Sequence, residues 1–250
     1  MMHRNNSKVE RRIKKNRVKA ILLILLLLCT VTSIIILKTD IFYIKTLEIN
    51  GNKKLSKEDV LTYAENAVGY NIFKIKLKKV RENLLRNPYI KTAEIQRKLP
   101  DQLMIEIIER KEAAVVPFMG NYFIIDDEGI VLKGDTHASG LKVITGLEFS
   151  NFMEGSMLQV ADQEQLDKAL LIVKAMEGVQ IDVKEIDVTN KKNIIVRLND
   201  NLYCKLGEGN NLNYKLQLLF NILSDLQSKD ITRGVIDISH EGYPSYRPVE

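Results

Sequence analysis

The chain lacks the parts from which most hydrolases and metalloproteins are built. Among 250 residues there are three histidines and two cysteines. No His-Glu-x-x-His helix, Cys-x-x-Cys pair, Gly-x-Ser-x-Gly elbow or Walker loop occurs. His3 lies in the N-terminal tail, His137 in an expected loop and His240 near the C-terminus. The sequence therefore offers no catalytic set, metal site or cofactor site, and no seat for a small-molecule substrate. Cys29 falls inside an apolar run, so Cys204 stands alone in the rest of the chain and no intrachain disulfide forms there. Stability must come from core burial, which about 210 residues can supply as two modest domains. Asp126, Asp127 and Glu128 are the best candidate ion site. Three adjacent carboxylates cannot all turn to one cation, and EF-hand spacing is missing, so a solvated hairpin turn is expected.

Charge is absent from residues 20–37, eighteen mostly apolar positions in succession. At ~1.5 Å per residue this run spans about 27 Å, close to the hydrocarbon thickness of a bilayer. Residues 1–19 carry eight Lys or Arg against one acid, Glu10. The positive-inside bias places that tail in the cytoplasm and the rest of the chain outside. A cleaved signal peptide would need a shorter apolar core and a small-x-small exit, whereas this run ends Ile34-Ile35-Ile36-Leu37. The net charge of +5 is also owed to the tail, which contributes +7 and leaves residues 20–250 at −2. With no basic stripe bearing interleaved aromatics, the external part carries no nucleic-acid footprint.

Beyond the span, strand and helix signals alternate. Ile44, Leu47 and Ile49 predict a first strand ending at Asn50-Gly51-Asn52. Ser56 and Asp59 have capping-box spacing, and Val60, Leu61, Ala64 and Val68 share a helical face that Gly69 ends. A second helix is predicted over 77–86 with Leu77, Val80 and Leu84 inward, closed by Asn87-Pro88. Two strands, 90–98 and 102–109, flank Leu99-Pro100-Asp101.

This β-α-α-β-β order resembles a POTRA domain, and its motifs resemble those of the bacterial division proteins FtsQ and DivIB. The strings are Ile49-Asn50-Gly51-Asn52, Leu55-Ser56, Gly69-Tyr70-Asn71-Ile72-Phe73, Asn87-Pro88-Tyr89-Ile90, Arg97-Lys98-Leu99-Pro100-Asp101, Glu109-Arg110 and Ile124-Ile125-Asp126-Asp127-Glu128-Gly129. One departure is Glu112, where the family usually has proline. The expected fold is α+β, with a basic tail (1–19), a transmembrane helix (20–37) and a POTRA domain (42–110). A mostly antiparallel β domain with flanking helices (111–240) and a C-terminal tail (241–250) complete it. In the second domain, Gly129 suits a hairpin turn, and Asp162 with Gln165 suits the start of a helix bearing Leu166, Ala169, Leu170 and Val173. Strands around Asn199-Asp200-Asn201 turn Cys204 inward, and a leucine stripe over 212–226 reads as a core face.

The resemblance implies a non-enzymatic, single-pass scaffold of the division machinery, found at the septum and bound to FtsB/DivIC-type and FtsL-type bitopic proteins. Such a complex helps control septal peptidoglycan synthesis. In the family a partner adds a strand to the sheet edge near the C-terminus, and the matching residues are Val235, Ile236, Asp237, Ile238 and Ser239, continuing to Tyr243 and Tyr246. On that expectation Ile236→Pro abolishes partner binding without unfolding the domain. The first-strand edge near Leu47 is a second candidate surface, for another division protein or for the bilayer, and the run from Lys74 to Lys79 reads as a solvated face. Two other classes fit less of the sequence. A POTRA module of another envelope apparatus would bring tandem copies and a long barrel; a membrane-anchored cell-wall enzyme would need a nucleophile or a metal set.

Overall fold

The computed structural model describes residues 3–64, 67–138, 140–179, 181–240 and 242–248, with backbone alone for 3–13 and 37. Met1 and Met2 of the basic tail, and Glu241, Val249 and Glu250 of the C-terminal tail, lie outside the described residues. Helix α1 (His3–Lys38) is continuous, because the Lys- and Arg-rich tail favours helix and simply extends the apolar run. Its residues 14–36 are long and apolar enough to cross a bilayer, and none of that window is buried against the rest of the chain.

The chain divides into two compact units, Met1–Leu84 with Thr92–Ile107, which includes α1, and Leu85–Lys91 with Ile108–Glu250. The first unit holds β1 (Thr46–Asn50), α2 (Lys57–Ala64) and α3 (Leu77–Leu84). Strands β2 (Ile90–Lys98) and β3 (Gln102–Glu109) complete a sheet ordered β1-β3-β2, with β1 parallel to β3. Alternation along β3 buries Leu103, Ile105 and Ile107, and Val60, Ala64, Val80 and Leu84 on the helices are buried as well. Val68 departs from the expected apolar face. It falls beyond the end of α2 and stays 48% exposed.

The second unit is a nine-stranded sheet in the order β12-β11-β10-β9-β8-β7-β4-β5-β6. Strands β4 (Ala114–Phe118), β5 (Asn121–Ile125) and β6 (Val131–Asp135) form a meander, and β7 (Lys142–Thr145) runs parallel to β4. Helix α4 (Gln163–Val179) is the crossover to β8 (Glu185–Asp187), which lies parallel to β7. Strands β9 (Ile194–Arg197) and β10 (Leu202–Gly207) pair antiparallel through the Asn199-Asp200-Asn201 turn. Helix α5 (Leu212–Ser228) then crosses over to β11 (Gly234–Asp237), parallel to β10. The parallel pairs β7–β8 and β10–β11 are each bridged by a helix, β4–β7 is parallel through the β5–β6 meander, and the other pairs are antiparallel.

The main core gathers one face of this sheet against α4 and α5. Leu166, Ala169 and Val173 from α4 meet Leu212, Leu216, Leu219 and Leu226 from α5 above Ile186, Val196, Cys204 and Ile236. The leucine stripe of α5 is therefore a core face. Val115, Ile124 and Leu132 form a smaller cluster on their own. Both faces of β4–β6 are thereby occupied, which explains why Ala114, Val115 and Val116 run apolar without alternation.

The Ser56–Asp59 capping box is present. The Asp59 N–H donates to Ser56 Oγ at 3.0 Å and the Ser56 N–H donates to Asp59 Oδ2 at 3.0 Å. The Ser56 hydroxyl, donating to Asp59 Oδ2 at 2.7 Å, and after it the Ser56 N–H hold the exposed Asp59 carboxyl below its usual pKa. Ser56→Ala is expected to cost about 1 kcal/mol of stability, read as a lower urea midpoint at unchanged slope.

Candidate functional site

The acidic turn is a structural anchor. Asp126 is fully buried, against the solvated turn expected, and its Oδ2 accepts from Arg110 Nη1 at 2.5 Å. Its Oδ1 accepts the backbone N–H groups of Glu128 and Ile130 at 2.9 and 2.8 Å, which sets the turn between β5 and β6. Gly129 takes φ 78° within it. Glu128 pairs with Lys91 at 2.8 Å and with Arg110 at 2.8 Å, and those bonds, Lys91 first, hold its carboxyl below the usual value. Asp127 remains exposed. Cations are already supplied by the protein, and among the described residues no group of three His, Cys, Asp or Glu side chains could hold a metal. Glu112, standing in place of a family proline, accepts the Tyr89 hydroxyl at 2.6 Å.

The remaining reactive groups are dispersed. Cys204 is buried, and that burial, with Asp237 nearby, pushes its thiol up to about 12, so it is no nucleophile at neutral pH. His137 and His240 are exposed, and His240 Nδ1 lies 3.7 Å from Asp237. Asp162 caps α4 through the Glu164 N–H at 3.0 Å, but Gln165 turns away to the Val188 carbonyl.

The C-terminal edge differs most from expectation. β11 is not the edge, because residues 241–250, expected as a tail, carry one more strand, β12 (Ser245–Arg247). It pairs antiparallel with β11 in the register Val235↔Arg247, Ile236↔Tyr246 and Asp237↔Ser245. Ile236 and Ile238 are buried core residues, Val235, Asp237 and Ser239 are half-buried, and only Tyr243 is broadly exposed. A proline at 236 would therefore break an interior strand and its core, and cannot report on partner binding.

Gly234 makes room for the return of the chain. Its φ is 139°, and a Cβ there would fall 2.5 Å from the Tyr246 ring and 2.7 Å from the Arg247 carbonyl. Tyr246 lies over the glycine and donates its hydroxyl to the Arg233 carbonyl at 2.6 Å. Lys215 of α5 is buried and donates to the carbonyls of Leu206 and Ser239 at 2.6 and 3.3 Å, tying the ends of β10 and β11 to the helix. Burial opposes ionisation of Asp237, but the Ser239 hydroxyl and N–H outweigh it and keep its pKa below the usual range.

The register fixes what the outer edge presents. The Gly234 and Ile238 N–H groups donate to the Asn201 and Lys205 carbonyls on the β10 side, so alternation turns Val235 and Asp237 toward β12 and makes Val235 and Arg247 a pair that exchanges both hydrogen bonds. Alternation then turns the N–H and C=O of Tyr246 away from β11, toward an edge that meets no other strand among the described residues. The neighbouring outward positions are Pro244 and Pro248, which have no donor. Beside the strand, two open clefts of about 320 and 390 Å³ lie between α5 and the returning chain, meeting at Pro244. Leu218 and Ile238 line one, Ile222 and Ile231 the other. Sequence reasoning missed Gly234, Lys215 and β12 as parts of this edge; the one available signal was the proline pair bracketing Ser245-Tyr246-Arg247.

Residues 42–110 match the family described as POTRA domain, FtsQ-type, and residues 114–239 match Cell division protein FtsQ/DivIB, C-terminal. Over 239 residues the chain is 29% identical to Cell division protein DivIB of Clostridium botulinum strain Hall, covering 93% of this chain and 92% of that relative. It is 28% identical to Cell division protein DivIB of Clostridium tetani over 230 residues, 88% of this chain and 84% of the relative. Cell division protein FtsQ of Syntrophotalea carbinolica is 30% identical over 162 residues, 62% of this chain and 56% of that protein.

Two outcomes test this geometry. Gly234→Ala forces the Tyr246 ring away, so amide exchange of Val235 and Arg247 should accelerate at least tenfold while that of β9 is unchanged. Arg110→Ala leaves the buried Asp126 carboxylate without its cation and should cost about 3 kcal/mol. Glu128 has a folded pKa below its ordinary 4.5, so its contribution is complete above that value and is lost as pH falls through the folded pKa. Glu128→Gln should accordingly flatten the fall in urea midpoint between neutral and acid pH.

Proposed function

The chain belongs to the FtsQ/DivIB family of bacterial cell-division proteins, and from that premise we propose that it is a non-enzymatic scaffold of the septal machinery. Residues 20–37, the apolar part of the 14–36 window, anchor it in the cell membrane, uncleaved, with residues 1–19 in the cytoplasm and the chain beyond Lys38 outside. It binds bitopic coiled-coil partners of the FtsB/DivIC and FtsL types and so helps control septal peptidoglycan synthesis. The observation that carries this reading is the terminal strand β12, whose outer edge ends the nine-stranded sheet.

A partner strand docks there by completing the one outward N–H and C=O pair at Tyr246, and it seats side chains in the clefts beside Pro244. Strand addition suits this edge because the partner gains main-chain hydrogen bonds and apolar pockets together. Residues 235–239 support β12 from inside the sheet and touch the partner through it.

The test separates the backbone from the side chain. Tyr246→Ala removes the ring and keeps the N–H; Tyr246→Pro removes both. With the full chain in nanodiscs and a DivIC-type partner, Tyr246→Pro should bind about tenfold more weakly than Tyr246→Ala, the value of a main-chain hydrogen bond or two. Equal affinities would show that the β12 edge is not the docking strand.

A further inference from the structure

The basic loop between α2 and α3 carries an arrangement that partner binding at β12 does not use. Residues 69–72 are stitched to the chain leaving α1. Asn71 Nδ2 donates to the Ile36 carbonyl at 2.9 Å, at the last position of the apolar span. The Gly69 N–H donates to Ile44 O, the Ile44 N–H to Tyr70 O, and the Ile72 N–H to Phe42 O, at 2.9, 2.9 and 2.7 Å. Phe42 and Phe73 meet with ring centroids 5.3 Å apart. From β2, Arg97 donates to the Ile72 and Ile75 carbonyls at 2.6 and 3.1 Å, which fixes the outer half of the loop. The loop is thus held rigidly at the depth where the span ends.

Its exposed groups are of two kinds. Ile41, Tyr70 and Phe73 are 56%, 59% and 42% exposed, the apolar and aromatic groups that favour a bilayer interface. Beside them, residues 68–86 hold six Lys or Arg against one acid, Glu82, which lies 3.9 Å from Lys78. Lys74, Lys76 and Lys79 surround an open cleft with Tyr70, and none has an ion-pair partner among the described residues. Asp40 is the one exposed acid on the segment that leaves the helix.

We infer that this face is a lipid-binding site: Tyr70 and Phe73 enter the interface while Lys74, Lys76 and Lys79 bind the phosphates of anionic headgroups in the adjacent leaflet. Lipid is the occupant because the site is continuous with the membrane helix through Asn71, and its charge is opposite to that of such a surface. The inference rests on residues 14–36 being the anchor, and it is independent of the β12 edge. The expected Lys74 to Lys79 solvated face thereby acquires a ligand.

The full chain is reconstituted into nanodiscs of phosphatidylcholine, alone or with equal phosphatidylglycerol, and amide exchange is followed over residues 69–83. Each lysine at an anionic surface is worth roughly fivefold in binding at low salt, so exchange should slow at least fivefold on phosphatidylglycerol, reversibly with salt. K74E/K76E/K79E should abolish the difference. Because the chain has no tryptophan, Phe73→Trp gives a single tryptophan that, in vesicles free of other protein, can be excited apart from the tyrosines and is expected to be blue-shifted and quenched by brominated lipid. Equal exchange on the two lipids would overturn the inference, as would equal protection by soluble polyphosphate on phosphatidylcholine discs. A chain that fails to float with vesicles would overturn the anchor and this site together; one that floats without lipid-dependent protection would overturn the site alone.

Discussion

Main-chain pairing between β11 and β12 decides what the C-terminal sheet can offer to another chain. β12 is three residues long and is held by few inward hydrogen bonds, so its position depends on side-chain support. Gly234 supplies the space, Tyr246 fills it, and Lys215 secures the carbonyl ends behind it. Remove the glycine and the ring has nowhere to go. The strand then leaves β11, and a buried residue, Ile236, becomes the border of the sheet.

The same few residues protect that border. Edge strands invite unwanted pairing, and proline is one way to blunt them. Here Pro244 and Pro248 occupy the outward positions on either side of Tyr246, so the edge offers one donor. Two main-chain hydrogen bonds at about 1 kcal/mol each fall far short of the roughly 8 kcal/mol of a micromolar complex. On the proposed docking, selectivity would come from apolar side chains entering the clefts around Leu218, Ile222 and Ile231. A strand with the wrong side chains would gain little from an edge with one donor.

Local signals made the first unit legible. The Ser56–Asp59 box, the alternation of Leu103, Ile105 and Ile107, and the Asn87-Pro88 stop each act over a few residues and agree with one another. The β9–β10 hairpin and the inward Cys204 were legible for the same reason. The features that escaped were non-local. Ser245-Tyr246-Arg247 is too short for a period, and the prolines on either side, which mark its limits, give no strand signal of their own. Asp126 reads as solvated until Arg110, sixteen residues earlier, is placed against it. Glycine at 234 gives no sign in sequence that an aromatic ring twelve positions later needs its space.

Membrane proximity constrains the first unit in a way that composition alone does not convey. Lys38 and Ile44 are separated by residues 39–43, a stretch that on its own would act as a tether. Instead Phe42 and Ile44 are hydrogen-bonded to Tyr70 and its neighbours, and Asn71 reaches back to Ile36. A tethered domain would present every face to the bilayer in turn, whereas one bonded to its own anchor presents a fixed face. Charge on a fixed face would act at constant distance from the headgroups, and such an interaction fades beyond the Debye length of about 8 Å at physiological salt. On the proposed lipid-binding reading, three lysines beside Tyr70 would bear on the membrane, while a similar number elsewhere on the chain would only be solvated.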